Sequence, residues 1–237
     1  MNLEKLYKNN PIQYQIYGLL SIGILGITTI LYLTDKEPYH RFIGNLNPIV
    51  VFILLILAGF LALSYLISQQ WFSIYKQTVK KAFKTILPIA GFIGIIVIIL
   101  DLMIRFPADT NILFPNSLLF YPSIAFLVEI IFHIFPLIIL LGILKPLIKP
   151  GNRNRIIWIS LMLIAFVESG YHLVYMLGSD FFTDGIATII FSHILIINIV
   201  QLAIFKKYDF ISMYSFRLVY YAIWHIGWGY LRLSILF

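Results

Sequence analysis

The chain contains no cysteine. That removes disulfides, thiolate metal sites and cysteine nucleophiles together, and with the last any sortase-like transpeptidation. Charge is scarce as well. Asp, Glu, Lys and Arg make up 11% of the 237 residues, where a soluble domain carries about a quarter. Acidic residues are the rarer sign, 10 against 17 basic ones, for a net charge of +7. In a soluble protein such an excess would point to nucleic acid. Here the basic residues sit where the positive-inside rule puts them, and no nucleic-acid partner is expected. No cleavable signal is expected either, because MNLEKLYKNNPIQYQ is polar and long and the apolar run after it has spanning length. No lipidation or retrieval motif is read at the other end. No internal repeat or low-complexity tract is evident.

What the chain has is hydrocarbon. It is 61% hydrophobic, with a mean hydropathy of +0.94. This composition implies an all-α, polytopic helical membrane protein, multi-pass in the cell membrane and surrounded by membrane lipid. With about 20 residues needed per crossing, the apolar runs give about seven spans. They fall at 12–34, 48–68, 86–104, 123–144, 156–178 and 186–205, with the last ending the chain. One membrane domain over 1–237 is expected, its N-terminal spans and loops at 12–122 and a four-span core at 123–237. The segment QQWFSIYKQTVKKAFK reads as a basic interfacial helix. DKEPYHRFIGN reads as a short loop, and RFPADTNILFPNS as a loop or re-entrant turn.

Charge supports seven spans. Lys5 and Lys8, then Lys76, Lys80, Lys81 and Lys84, then Lys145, Lys149, Arg153 and Arg155, then Lys206 and Lys207 all fall on one side. The opposite loops are neutral or acidic, as at Asp180 and Asp184. The N-terminus is therefore expected in the cytoplasm. The Ile, Lys and Asn usage fits an AT-rich microbial genome.

Some polar residues interrupt the apolar runs. Glu129 and His133 lie in SIAFLVEIIFHIFPLIILL, and Glu168 and His172 in IAFVESGYHLVYMLG. Each pair is spaced i, i+4, which puts both groups on one helical face. His193 and His225 lie in two further spans. A charged side chain at the centre of a bilayer costs about 3 kcal/mol on insertion scales, so such a residue is a candidate for function. At ~1.5 Å rise per residue, these six groups share one layer from the midplane to the outer half. The weaker reading for a lone histidine, His193 above all, is an interhelical hydrogen bond. Asn198 and Gln201 read as such glue. Asp101 is expected to be neutralised by Arg105 at i+4. Arg217 and Arg232 are expected to snorkel from the two ends of the last span. Trp224 and Trp228 bracket His225, and their indole N–H groups suit a carboxylate or a substrate carbonyl. Gly227 and Gly229 allow close approach of a helix or a substrate backbone.

A glutamate beside a histidine can activate water and shuttle its proton to a leaving amine, while further histidines stabilise an oxyanion. That is metal-free peptide hydrolysis. Glu129, His133, Glu168, His172, His193 and His225 could equally ligate a divalent metal such as zinc. Paired histidines on two spans could hold a haem. Spacing alone does not choose among these. Glu-x-x-x-His is neither the His-Glu-x-x-His of zinc proteases nor the Glu-x-x-His of di-iron bundles.

LVEIIFHIFPL resembles the first motif of the CPBP family of intramembrane proteases, which includes the CAAX prenyl endopeptidase and the Abi proteins. Glu129 matches the motif's second Glu, Phe132 its Phe and His133 its Arg, while Val128 stands where the first Glu belongs. His172 resembles the second-motif histidine and His225 the third-motif histidine. Glu168 replaces a Phe, and Gly229 replaces an Asn or Asp. The resemblance runs from about Tyr121 to the end. It implies membrane helices around a polar cavity, a membrane-associated peptide or protein substrate, and a variant catalytic set of Glu129, His133, Glu168, His172 and His225. The alternative it implies is a non-catalytic relative that binds metal or haem, or acts as an immunity or interaction partner.

Overall fold

The computed structural model describes residues 3–77, 79–178 and 181–237, so Asp180 lies outside the described residues. The chain runs through α1 (Leu3–Asn9), α2 (Pro11–Thr34), α3 (Glu37–Ile43), α4 (Pro48–Ser68), α5 (Val79–Ile104), α6 (Ser117–Val128), a π turn (Glu129–Ile134) and α7 (Phe135–Leu144). Then come α8 (Arg153–Leu177), α9 (Asp184–Lys207), α10 (Phe210–Tyr221), a second π turn (Ala222–Trp228) and α11 (Gly229–Leu236). No strand occurs among the described residues. Local chemistry sets several starts. Pro48 occupies the first turn of α4, and the Asn47 side chain accepts from Ile49 N and Val50 N. Thr183 caps α9, with Asp184 in its first turn and Lys206 and Lys207 in its last, which complements the helix dipole. Asp209 caps α10 through Ser212 N.

Among the described residues, six stretches are long and apolar enough to cross a membrane: Pro11–Thr34, Pro48–Ser68, Lys80–Ile104, Ser117–Leu147, Arg153–Leu177 and Asp184–Lys207. The chain is thus a multi-pass helical membrane protein. The seventh expected span is a helical rod, Phe210–Leu236, formed by α10, the second π turn and α11. It is long enough but less apolar, and its surroundings explain why. α10 packs against α5, α6 and α9, and the second π turn against α5 and α6. A rod shielded by protein can carry polar groups that lipid would reject. At Gly94 of α5 an added Cβ would lie 2.7 Å from Ile223 Cγ2, so the rod and α5 touch where only glycine fits.

Several element boundaries differ from the sequence expectation. No interfacial helix forms over the described part of 69–77. Trp71, Phe72 and Ile74 are buried there instead, Phe72 stacking on Phe205 at 4.4 Å. Lys80, Lys81 and Lys84 belong to the first turns of α5, which starts before residue 86. The fourth span begins at Ser117, with Pro122 inside the helix. The loop at 35–45 contains α3, whose Tyr39 is fully buried and hydrogen-bonded to Ser123 at 2.7 Å.

The basic end of the bundle is knitted by backbone groups. Ile74 N donates to Gln13, Lys76 N to Asp209, Phe210 N to Ser73 O, and Arg153 to the carbonyls of Gln69 and Gln70. The loops expected on one side do share one end.

The other end is closed by a buried ion pair that corrects two expectations. Arg232 does not snorkel. It is fully buried, and it donates to Asp101 through Nε at 2.7 Å and Nη2 at 2.8 Å. It also donates to the carbonyls of Phe106 and Pro107. Trp228 Nε1 donates to Asp101 at 2.6 Å, which is the carboxylate role its position suggested. Arg105 is not the partner of Asp101. The chain leaves the helix there with φ of 56° at Arg105, and its side chain is exposed. The i+4 geometry is therefore lost. Removing one member of a buried pair strands the other, so Arg232→Ala or Asp101→Ala is expected to cost about 3–5 kcal/mol. Thermal unfolding in detergent measures this, and Arg105→Ala is the control that leaves the midpoint unchanged.

Candidate functional site

The site begins with a proline. Pro136 has no N–H to donate, and its ring crowds the carbonyl of Phe132 one turn back. Immediately before it the helix widens into the first π turn, where Phe135 N donates to Ile130 O five residues back. This turn buries both Glu129 and His133 completely. The second π turn carries His225, and there Gly229 N reaches back to Trp224 O.

Glu129 and Glu168 are joined by Arg217. Its Nε donates to Glu129 Oε1 at 2.7 Å, while Nη1 and Nη2 donate to the two oxygens of Glu168 at 2.9 and 2.8 Å. Nη1 also reaches Tyr221 at 3.3 Å. His133 Nδ1 lies 3.0 Å from Glu129 Oε2, and its Nε2 lies 3.6 Å from Glu168 Oε2. Gln201 Nε2 donates to Glu129 Oε1. Arg217 is 2% exposed and Glu168 4%. Two carboxylates and one guanidinium thus share a dry core, with His133 held between the acids. A bidentate guanidinium–carboxylate pair is the strongest form such an interaction takes.

The expected residues therefore meet only in part. Glu129, His133 and Glu168 form one cluster. His172, one turn beyond Glu168 on α8, is half-buried, and no hydrogen bond to a described residue holds its ring. It lies within electrostatic reach of Glu168 and of His225. His225 is half-buried too; its Nδ1 donates to Asn111 Oδ1 at 2.6 Å, and its ring stacks on Tyr121 at 4.5 Å. Its Nε2 has no hydrogen-bond partner among the described residues. His172 and His225 thus stand within electrostatic reach of each other beside the charged core. His193 stands apart, bonded to Tyr220 at 3.4 Å, and it lines a separate cleft of ≈ 300 Å³ between α5 and α9. Asn198 is interhelical glue as expected, donating from α9 to Ala165 O and Ser169 on α8. Gln201 belongs to the charged core rather than to general glue.

Arg217 corrects the sequence reading most. It does not snorkel but closes the site. Counting along α10 from Phe210 places it two turns inside the rod, too deep to reach the basic end, and that depth was available in the sequence. Asn111, in the segment between α5 and α6, carried no sequence signal at all.

A metal does not fit. Among the described residues no group of three or more His, Asp or Glu side chains converges as a ligand set. The position between Glu129 and Glu168 holds the Arg217 cation. Both ring nitrogens of His133 face carboxylates, so haem ligation there is blocked as well.

The cluster makes a stability prediction. Arg217→Leu leaves two carboxylates buried without a cation and is expected to cost about 3–5 kcal/mol. Replacing Glu129, Glu168 and Arg217 together by apolar residues of similar volume is expected to recover most of that loss. Thermal midpoints of the purified variants test both, and a triple variant less stable than Arg217→Leu would contradict the assignment.

No protein-family model, curated protein or solved structure matches this chain.

Proposed function

We propose that this protein is an intramembrane hydrolase that cuts peptide bonds in or near the bilayer, a divergent relative of the CPBP proteases. The observation that carries the reading is convergence. Two helices that are remote in sequence, α6 with its π turn and α8, bring Glu129, His133 and Glu168 into one buried cluster. Two half-buried imidazoles, His172 and His225, stand beside it. The π turns add support. They occupy the two stretches that hold Glu129–His133 and His225, and π turns inside α-helices mark functional sites more often than chance. The basic end is cytoplasmic in this reading, so His172 and His225 stand toward the outer half of the membrane.

The carboxylates do not act as free bases here. Glu168 spends both oxygens on Arg217, and Glu129 is held by Arg217, Gln201 and His133. Their work is to fix the helices around His172 and His225. These two histidines then divide the proton traffic. One takes a proton from water as its oxygen attacks the carbonyl carbon, and the other gives a proton to the amine that leaves. The products are a carboxylate and a free amine.

One observation favours a second reading. A core saturated by Arg217 is what a non-catalytic membrane scaffold needs, and an immunity or interaction partner would require nothing more. His172 and His225 separate the two. His172→Ala and His225→Ala are each expected to lower the turnover of a membrane-anchored peptide by about 10²–10⁴-fold, while thermal stability stays near that of the parent protein. Cleavage that survives in both variants would sink the hydrolase reading.

A further inference from the structure

The surroundings of His225 contain a constraint on which way it carries its proton. Tyr121 Oη accepts a hydrogen bond from Ile112 N at 2.8 Å. Its own proton is then free to point elsewhere, and it points at Asn111 Oδ1, a longer contact of 3.5 Å. His225 Nδ1 meets the same oxygen at 2.6 Å. An amide oxygen only accepts, so Nδ1 carries the hydrogen and Nε2 carries the lone pair. In this orientation Asn111 Oδ1 accepts both hydrogens and Nδ2 is buried without a partner among the described residues, whereas the opposite orientation would pair Nδ2 and leave the Tyr121 hydroxyl proton without an acceptor. The ring is also held in plane. Tyr121 stacks on it at 4.5 Å and 18°, and Tyr221 meets it edge-on at 4.7 Å.

Asn111 is itself held firmly. It is 4% exposed and comes from the segment between α5 and α6, whose earlier part is clasped by Arg232 through Phe106 O and Pro107 O. The amide lies against Gly229. A Cβ there would come within 3.0 Å of Asn111 Nδ2 and 3.1 Å of its Cβ. The absence of a side chain at Gly229 is therefore what lets Asn111 reach His225.

We infer that Asn111 is a positioning residue that locks His225 as the Nδ1–H tautomer, so that Nε2 is left as its proton acceptor. The tautomer stands on the orientation of the Asn111 amide, with Oδ1 toward His225, whereas its catalytic use rests on the hydrolase reading. In that use His225 takes the proton from the attacking water. His172, on the same helix as Glu168 and one turn away, delivers a proton to the departing amine. Histidine roles are set in the same way by the partner of the second ring nitrogen in many sites.

The test is nitrogen NMR on ¹⁵N-histidine-labelled protein in lipid nanodiscs at neutral pH, with His225 assigned by its loss in His225→Ala. The expected spectrum shows His225 with a protonated Nδ1 and an unprotonated Nε2. A proton on Nε2 overturns the inference. Asn111→Leu is expected to abolish the Nδ1–H preference and Asn111→Asp to keep it. Gly229→Ala, which pushes Asn111 aside, is expected to act like Asn111→Leu through a different residue. An unchanged tautomer in both Asn111→Leu and Gly229→Ala overturns the role of Asn111. If Asn111→Leu does not fold, the parent spectrum and Gly229→Ala still decide. On a cleavable peptide, Asn111→Leu is expected to lower kcat about 10–100-fold with KM little changed, and Asn111→Asp to restore it. The expected tautomer in a protein that cleaves nothing would retain Asn111 as the positioning residue and remove the hydrolase reading.

Discussion

Arg217 bound between Glu129 and Glu168 is the interaction on which the rest of the structure depends. Three charges leave water together, which costs several kcal/mol per ion even after relaxation. The low dielectric returns that energy only when every partner is in place. The partners come from four elements. Glu129 stands on the first π turn, Glu168 on α8, Gln201 on α9 and Arg217 on α10. A shift of one helix by a single turn would strand a carboxylate in hydrocarbon. Apolar side chains surrounded by lipid tails give little such discrimination, because one apolar face resembles another. The ion cluster thus sets register where the hydrophobic effect cannot.

The end opposite the basic one repeats the device at smaller scale. Asp101 and Arg232 pair fully buried, and the guanidinium also gathers the carbonyls that follow α5. Because α10, the second π turn and α11 form one rod, the two clasps fix that rod at two depths. His225 lies between them, on the π turn, at a position that neither clasp saturates. A half-buried imidazole between two rigid anchors is preorganised, which is what an acid or base in a membrane requires. The same arrangement explains the uneven composition of the rod. Tyr214, Tyr220, Tyr221, both tryptophans and both arginines of the rod face protein, so lipid exerts no pressure to make them aliphatic; Tyr230 alone among its tyrosines is exposed.

Much of this was legible in the sequence. The apolar runs gave six of the spans, because about 20 apolar residues in water have no other stable home. The i, i+4 pairs marked Glu129–His133 and Glu168, since an unpaired carboxylate is intolerable in lipid. What was missed has a common cause. Arg217 was read as an end residue because long basic side chains usually escape to the interface, and only its depth argued otherwise. Asp101 was assigned to Arg105, its neighbour in sequence, whereas the true partner lies 131 residues away. Periodicity reports which face of a helix is buried and says nothing about which remote element meets it. Asn111 was illegible for the same reason. It sits in a loop, and its importance comes from a gap at Gly229 that only the folded chain reveals.

The most direct test is hydrolysis itself. The purified protein in lipid nanodiscs would be incubated with membrane-anchored peptides in H₂¹⁸O and the peptides read by mass spectrometry. The account predicts new C-terminal carboxylates carrying one ¹⁸O atom, formed by the parent protein and not by a variant lacking both His172 and His225. Peptides left intact across a broad set of sequences would contradict it, and would leave the buried ion cluster as the core of a membrane scaffold.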